Sequence, residues 1–192
     1  MFNRHGVQQD LYADDKQAYV NTPVSDVPTA RATLHSCILD VGDWCSSRRL
    51  QLDETKTELI WFGSKKILGK VPESELNLTV GSDIIQPLKS VRDLGVQLDT
   101  ELSMKTHVSK VASSCFNQLS RLRQITRLVG QEVAARLVSA FIIVRLDSCN
   151  SVLAGLRRCT TEPLQRVLNA AVRLVLNLRP RDHVTPALQQ LH

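Results

Sequence analysis

The sequence predicts an α+β chain, with strands and one helix in residues 1–100 and helices alone in residues 101–192. Period-two and β-branched runs bounded by turn residues are confined to the first part, whereas apolar stripes at helical spacing fill the second. The charge changes sign between the same two parts. Residues 1–100 hold 11 Lys+Arg against 14 Asp+Glu, and residues 101–192 hold 13 against 5. Only Lys105 and Lys110 among those 13 are lysines. An arginine-rich helical part fits a polyanion partner, because guanidinium binds phosphate through paired donors; a solvated helix face is the alternative that charge alone leaves open.

The first element is a hairpin. Val7 to Tyr12 and Gln17 to Val20 read as strands, joined by the turn Ala13-Asp14-Asp15-Lys16. Adjacent carboxylates at a tip repel each other, a cost tolerated where the tip is solvated or holds a cation. After Pro23 and Pro28, the residues Leu34, Cys37, Ile38, Val41, Trp44 and Cys45 form one helical stripe. Thr57 to Phe62 reads as a strand stopped by Gly63, with Trp44 and Trp61 expected in the core. The stretch Lys65 to Glu75 reads as a loop, Leu76 to Val80 with Ile84-Ile85 as a second hairpin, and Leu94 to Leu98 as a short strand. Gly95 by itself reads as a bulge.

Three helices are predicted from Ser103 onward. Val108, Val111, Ala112, Cys115, Leu119 and Leu122 make the first stripe. Val133, Leu137 and Phe141 with Ala134, Val138 and Ile142 make the second. Leu164, Val167, Leu168, Ala171, Val175 and Leu178 make the third, opened by Thr161 and Pro163. Three such helices can bury one another. Lys110 and Arg121 on the first, with Arg166 and Arg173 on the third, fall on polar sides.

Five cysteines with no C-x-x-C pair argue against a metal staple or a disulfide framework, and Cys37, Cys45 and Cys115 fall on apolar helical faces. MFNRHGVQQD carries no apolar leader, and the run Ala140 to Val144, closed by Arg145, is too short to cross a bilayer. A soluble, intracellular chain with no membrane partner is expected, and oligomeric state and compartment are not legible.

Five segments, in order, carry a resemblance. L-Y-A-D-D-K-Q-A-Y (11–19) is followed by W-C-x4-L-x-L-D-x-x-K-T-E-L-I (44–60) and V-R-D-L-G-V-Q-L-D-T-E-L-S-M-K-T-H (91–107). L-D-S-C-N-S-V-L-A-G-L (146–156) comes next, then L-Q-R-V-L-N-A-A-V-R-L-V (164–175) with R-P-R-D-H-V-T-P (179–186). Together they resemble the reverse transcriptases of non-LTR, LINE-like retrotransposons from the Y-A-D-D catalytic hairpin onward. The resemblance covers Leu11 to His192. It implies a partial polymerase palm over residues 1–100 and a helical thumb and connector over residues 101–192.

The resemblance also implies roles. Asp14 would be the direct metal ligand and Asp15 its weaker partner, holding Mg²⁺ of a two-metal site. Tyr12 would pack beneath the nucleotide or primer end, Lys56 would act as general acid toward departing pyrophosphate, and Leu94-Gly95-Val96 would form the turn that grips the primer. Lys110, Arg121, Arg166 and Arg173 would hold an RNA template and a DNA primer by their phosphates, without reading sequence. Deoxynucleotides would be the substrates of the intact parent. From the residues alone, Asp14-Asp15 also reads as a solvated turn, Lys56 as a strand-edge lysine, and His107 and His183 as structural histidines.

Departures from the family pattern are Lys16 for Thr, Asp53 for Asn and Ser148 for an aromatic. Ten residues precede Leu11. That leaves no room for the family's fingers or its upstream metal-binding aspartate, and polymerisation by this chain alone is not expected. A nonspecific nucleic-acid-binding module and an inert relic of a transposon are the alternative functions.

Overall fold

Proline sets the start of the first long helix. Pro28 is the second residue of α1 (Val27–Ser47), where a missing N–H costs no intrahelical bond. In a computed structural model of the chain, residues 2–13, 15–50, 56–80, 83–126, 128–179 and 182–184 are described. The chain forms two compact units, one of Met1–Val91 with Asp99–Leu102 and one of Arg92–Leu98 with Ser103–His192. The first mixes helix and strand and the second is mainly helical, so the chain is α+β.

In the first unit, β1 (Gln8–Tyr12) and β2 (Asp15–Tyr19) pair antiparallel, Tyr12 opposite Asp15 and Gln8 opposite Tyr19. The loop between them is therefore two residues long, not the predicted four. Ala13 has φ of 55°, the positive value with which short hairpin loops follow the twist of their strands. Val27, Ala30, Cys37, Val41 and Cys45 are the buried face of α1. Cys37 and Cys45 pack there as free thiols, and burial holds the Cys37 thiol above its ordinary range.

The second hairpin pairs β3 (Leu78–Val80) with β4 (Asp83–Ile85). Three polar contacts fasten α1 to the segments around β3. His35 Nδ1–H donates to the Thr79 carbonyl at 2.6 Å, and Arg31 donates to the Ser74 carbonyl at 3.1 Å and lies 3.3 Å from Glu75.

Several expectations are corrected in this unit. Thr57 to Phe62 is not a ladder strand: only Leu59 bridges, parallel to Pro87, and Leu88 N–H donates to the Leu59 carbonyl at 2.8 Å. Pro87 has no N–H with which to extend the pairing. The stretch read as a loop contains two one-turn helices, α2 (Lys65–Leu68) and α3 (Glu73–Leu76). Ser64 starts α2 by accepting from Ile67 N–H, and Pro72 precedes α3. Trp44 is 43 % exposed beneath the Arg48 guanidinium, 6.0 Å from its ring centre, and is not a core residue. Trp61 is part-buried, its indole N–H held by the Leu76 carbonyl at 2.9 Å.

The second unit follows the hairpin of β5 (Ser90–Asp93) and β6 (Val96–Asp99) with α4 (Lys105–Ile125), α5 (Gln131–Val138), α6 (Val144–Asp147) and α7 (Arg158–Val175). Its core joins Ala112, Cys115, Leu119 and Leu122 of α4 to Val138 and Ile142 and to Val167, Ala171 and Val175 of α7. The stripes of α4 and α7 thus face each other as their spacing predicts.

Between α5 and α6 the residues Ser139–Ile143 form a π turn. An ideal helix drifts by 40° every four residues, and the wider π turn offsets that drift. Ala134, Val138 and Ile142, four apart, consequently stay on the buried side. The parallel stripe of Val133 and Phe141, expected in the core, is left 46 % and 49 % exposed. Helix α7 begins at Arg158, earlier than Thr161 and Pro163 predicted, with Pro163 inside it. Pro163 removes a single i→i−4 bond, and the face carrying Val167 and Ala171 compensates by burial.

Candidate functional site

In an antiparallel pair, directly opposed residues share one face. The observed register puts Tyr12, Asp10 and Gln8 on the same face as Asp15, Gln17 and Tyr19. Leu11 and Lys16 oppose each other on the other face. Asp15 therefore belongs to a strand and stands across from Tyr12, instead of at the tip as the longer turn required. Asp14 lies outside the described residues. Both strands are open to solvent, with Tyr12 68 % and Leu11 59 % exposed.

Asp10, which is part of the hairpin strand and so cannot stand in for the family's upstream aspartate, lies on this face. Its carboxylate holds the Tyr19 phenol above its ordinary range, first by charge and then with burial and a hydrogen bond. Alternation with period two, combined with a two-residue loop, is the signal that would have put Asp10 and Asp15 on one face. Among the described residues, no group of three or more His, Cys, Asp or Glu side chains is placed to hold a metal ion. Mg²⁺ takes an octahedral shell of hard oxygens, and from this hairpin tip the described residues supply one carboxylate, Asp15. The described donor set does not amount to a magnesium site. Lys56 is exposed, ahead of the Leu59 bridge.

Leu94 and Gly95 have φ of 42° and 91° and form the two-residue turn between β5 and β6. Gly95 is thus a turn residue and not a bulge. Leu94 is 53 % exposed, whereas Val96 is buried with Met104, Val108 and Leu153. The turn presents Leu94 and the Gly95 backbone, and Val96 anchors it.

Behind that anchor sits His107, 6 % exposed. Its Nδ1 accepts the Gln97 backbone N–H at 3.2 Å, so the ring is neutral with its proton on Nε2, and burial holds its pKa below the ordinary imidazole value. Lys110, one turn along α4, donates to the Gln97 side-chain carbonyl at 2.7 Å.

The four predicted phosphate-contacting residues differ in what they already hold. Lys110 is engaged by Gln97. Arg166 is exposed but paired with Glu162 at 2.7 Å, one turn back on α7. Arg173 is part-buried and donates to the Asp182 carbonyl at 3.4 Å, while Arg179 N–H donates to the Asp182 carboxylate at 2.7 Å. Arg173 thereby fastens the segment after α7, where Val184 packs on Val172. Arg121 is exposed and, among the described residues, has no hydrogen-bond or ion-pair partner; Arg123, two residues on, is in the same condition.

A groove of about 830 Å³ lies between α6 and α7, floored by Ile143, Leu146 and Leu164 and rimmed by Asp147, Arg158 and Glu162. Its rim carries both signs of charge and does not select an anion. No helix among the described residues is long and apolar enough to cross a membrane. Compared with protein-family models, with curated proteins and with solved structures, the chain matches none.

Proposed function

We propose that this chain is the part of a non-LTR retrotransposon reverse transcriptase that runs from the catalytic hairpin through the thumb. In this reading the first unit is a portion of the polymerase palm and α4 to α7 are the thumb. The observation that supports it is the β1–β2 hairpin, in which Tyr12 and Asp15, the outer residues of the Y-A-D-D segment, pair directly opposite each other. In the intact parent, Asp14 and Asp15 contribute to the Mg²⁺ ligands of RNA-directed DNA synthesis, and Lys56 serves the leaving pyrophosphate.

A second reading, a nonspecific nucleic-acid-binding module, is favoured by one separate observation. Arg121 and Arg123 project from α4 without partners among the described residues. Phosphate contacts of this kind position a duplex without reading it.

Primer extension on an RNA template, with Mg²⁺ and deoxynucleotides, separates the two readings when the chain is joined to the fingers and upstream palm of an active LINE-like reverse transcriptase in place of the matching segment, and run beside an Asp14→Ala, Asp15→Ala variant. Extension that disappears in the variant places polymerase chemistry on the hairpin. Primer–template binding in both proteins without extension leaves the binding module. Absence of both binding and extension contradicts both readings.

A further inference from the structure

Two hydrogen bonds from α4 converge on Gln97 of β6. The Gln97 backbone N–H donates to His107 Nδ1 at 3.2 Å, and the Lys110 ammonium donates to the Gln97 side-chain carbonyl at 2.7 Å. Next along the strand, Val96 packs with Met104, Val108 and Leu153. The segment fastened in this way is the β5–β6 hairpin, whose turn presents Leu94 and the Gly95 backbone. Arg92–Leu98 belongs to the same compact unit as α4, so the join lies within one body.

A proton affects the two bonds differently. A backbone N–H can only donate, so Nδ1 must keep its lone pair for the first bond to exist. Lys110 donates whatever the state of the ring. A proton arriving at Nδ1 turns the acceptor into a second donor, sets two N–H groups against each other and deprives the buried Gln97 amide of its acceptor. It also places a positive charge three residues from Lys110 on one helix, where like charges repel.

The surroundings offer the charge little. Leu98, Leu153, Leu156 and Leu164 bring apolar side chains to this cluster. Near them in sequence, Asp147 accepts from Asn150 at 3.3 Å and Glu162 pairs with Arg166. The other charged residues of the elements involved are Lys105 on α4, exposed, Arg92 and Asp93 on β5, and the buried Asp99 two residues along β6. Burial is what holds the ring's pKa down, so the proton enters only below the ordinary value of about 6.5. The main helical core of Cys115, Ile142 and Val167 is a cluster distinct from the one at Val96 and Val108.

We propose that His107 is a proton-operated latch: with a neutral ring it holds the β5–β6 hairpin on α4, and with Nδ1 protonated the Gln97 amide is released and the Leu94-Gly95 turn loosens while the helical core stays folded. The latch operates whether or not the turn grips a primer, and so goes beyond the functional reading above. The test is amide hydrogen exchange of the full chain at a series of pH values, corrected for the intrinsic pH dependence of exchange, with the His107 ring protons followed by NMR in the same samples. Wild type is expected to lose at least about tenfold protection at residues 95–98 as the ring titrates, while amides around Cys115, Ile142 and Val167 keep theirs. His107→Gln, whose side-chain carbonyl can accept the Gln97 N–H and takes up no proton, is expected to stay protected throughout. Asp99 remains in that variant, so a transition belonging to it survives there. Protection that is unchanged as the ring titrates overturns the proposal, as does a ring that stays neutral until the core unfolds. Loss that coincides with loss in the core, or that survives in His107→Gln, overturns it as well. Should the variant not fold, the wild-type outcomes decide alone.

Discussion

The β1–β2 hairpin and the helices of the second unit are built on different physics. Of the ten hairpin strand residues only Gln17 is part-buried and the rest are exposed, while Cys115, Ile142 and Val167 in the helical unit are 0 % exposed. A two-stranded ribbon covered on neither face is marginal in water, whereas three facing apolar stripes supply a core. Burial therefore accounts for residue identities in the helices and for almost none in the hairpin. In the proposed reading, Tyr12, Asp14 and Asp15 serve chemistry instead of burial.

The most forceful way to break this contrast is to cut into each region. Ile142→Ala is expected to cost about 2–5 kcal/mol of unfolding free energy in urea titration, by lost transfer energy and a cavity. Leu11→Ser in the hairpin is expected to change the same quantity by less than about 0.5 kcal/mol. Comparable losses at both sites would abolish the distinction.

The next effect is at His107. Replacing it with Ala leaves the buried Gln97 N–H without its acceptor, at an expected cost of about 1–3 kcal/mol. The pH dependence has a definite sign, because the folded pKa is lowered by burial. Its contribution is fully present above the ordinary imidazole value of about 6.5 and is lost as pH falls from there through the lowered folded value. Thermal melts of wild type should lose stability over that window, and melts of His107→Ala should lose less.

Gly95→Ala is expected to cost about 1–2 kcal/mol, because φ of 91° strains any residue bearing a Cβ. Space is not the reason, as nothing lies within 4 Å of the added atom. Smallest of all, Glu162→Gln should remove an exposed helical pair worth about 0.3–0.5 kcal/mol. It also releases the Arg166 guanidinium, so nucleic-acid affinity at low salt should rise as stability falls slightly.

The helical stripes were legible in the sequence because period 3.6 and burial are the same fact seen twice, as Cys115, Leu119 and Val167 illustrate. The hairpin was legible from its turn residues, but its register was not. A four-residue and a two-residue loop both fit the sequence, and only the second sets Asp15 opposite Tyr12. The exposed Val133 and Phe141 were misread because adjacent stripes on one helix give the same periodicity, and no pattern marks which of them the π turn holds inward. Among the four cations chosen, spacing found the polar sides but could not foresee that Gln97, Glu162 and Asp182 already engage three of them.

The proposed division between a chemical hairpin and a basic helical support is tested most directly by anisotropy titration of a labelled RNA–DNA primer–template over a range of salt. Wild type is expected to bind with log affinity falling linearly in log salt, independent of base sequence. Arg121→Ala should reduce that slope by about one, Arg173→Ala should leave it nearly unchanged, and the Asp14→Ala, Asp15→Ala variant should bind as wild type does. Binding that ignores salt, or that survives Arg121→Ala while failing in the aspartate variant, would contradict the account.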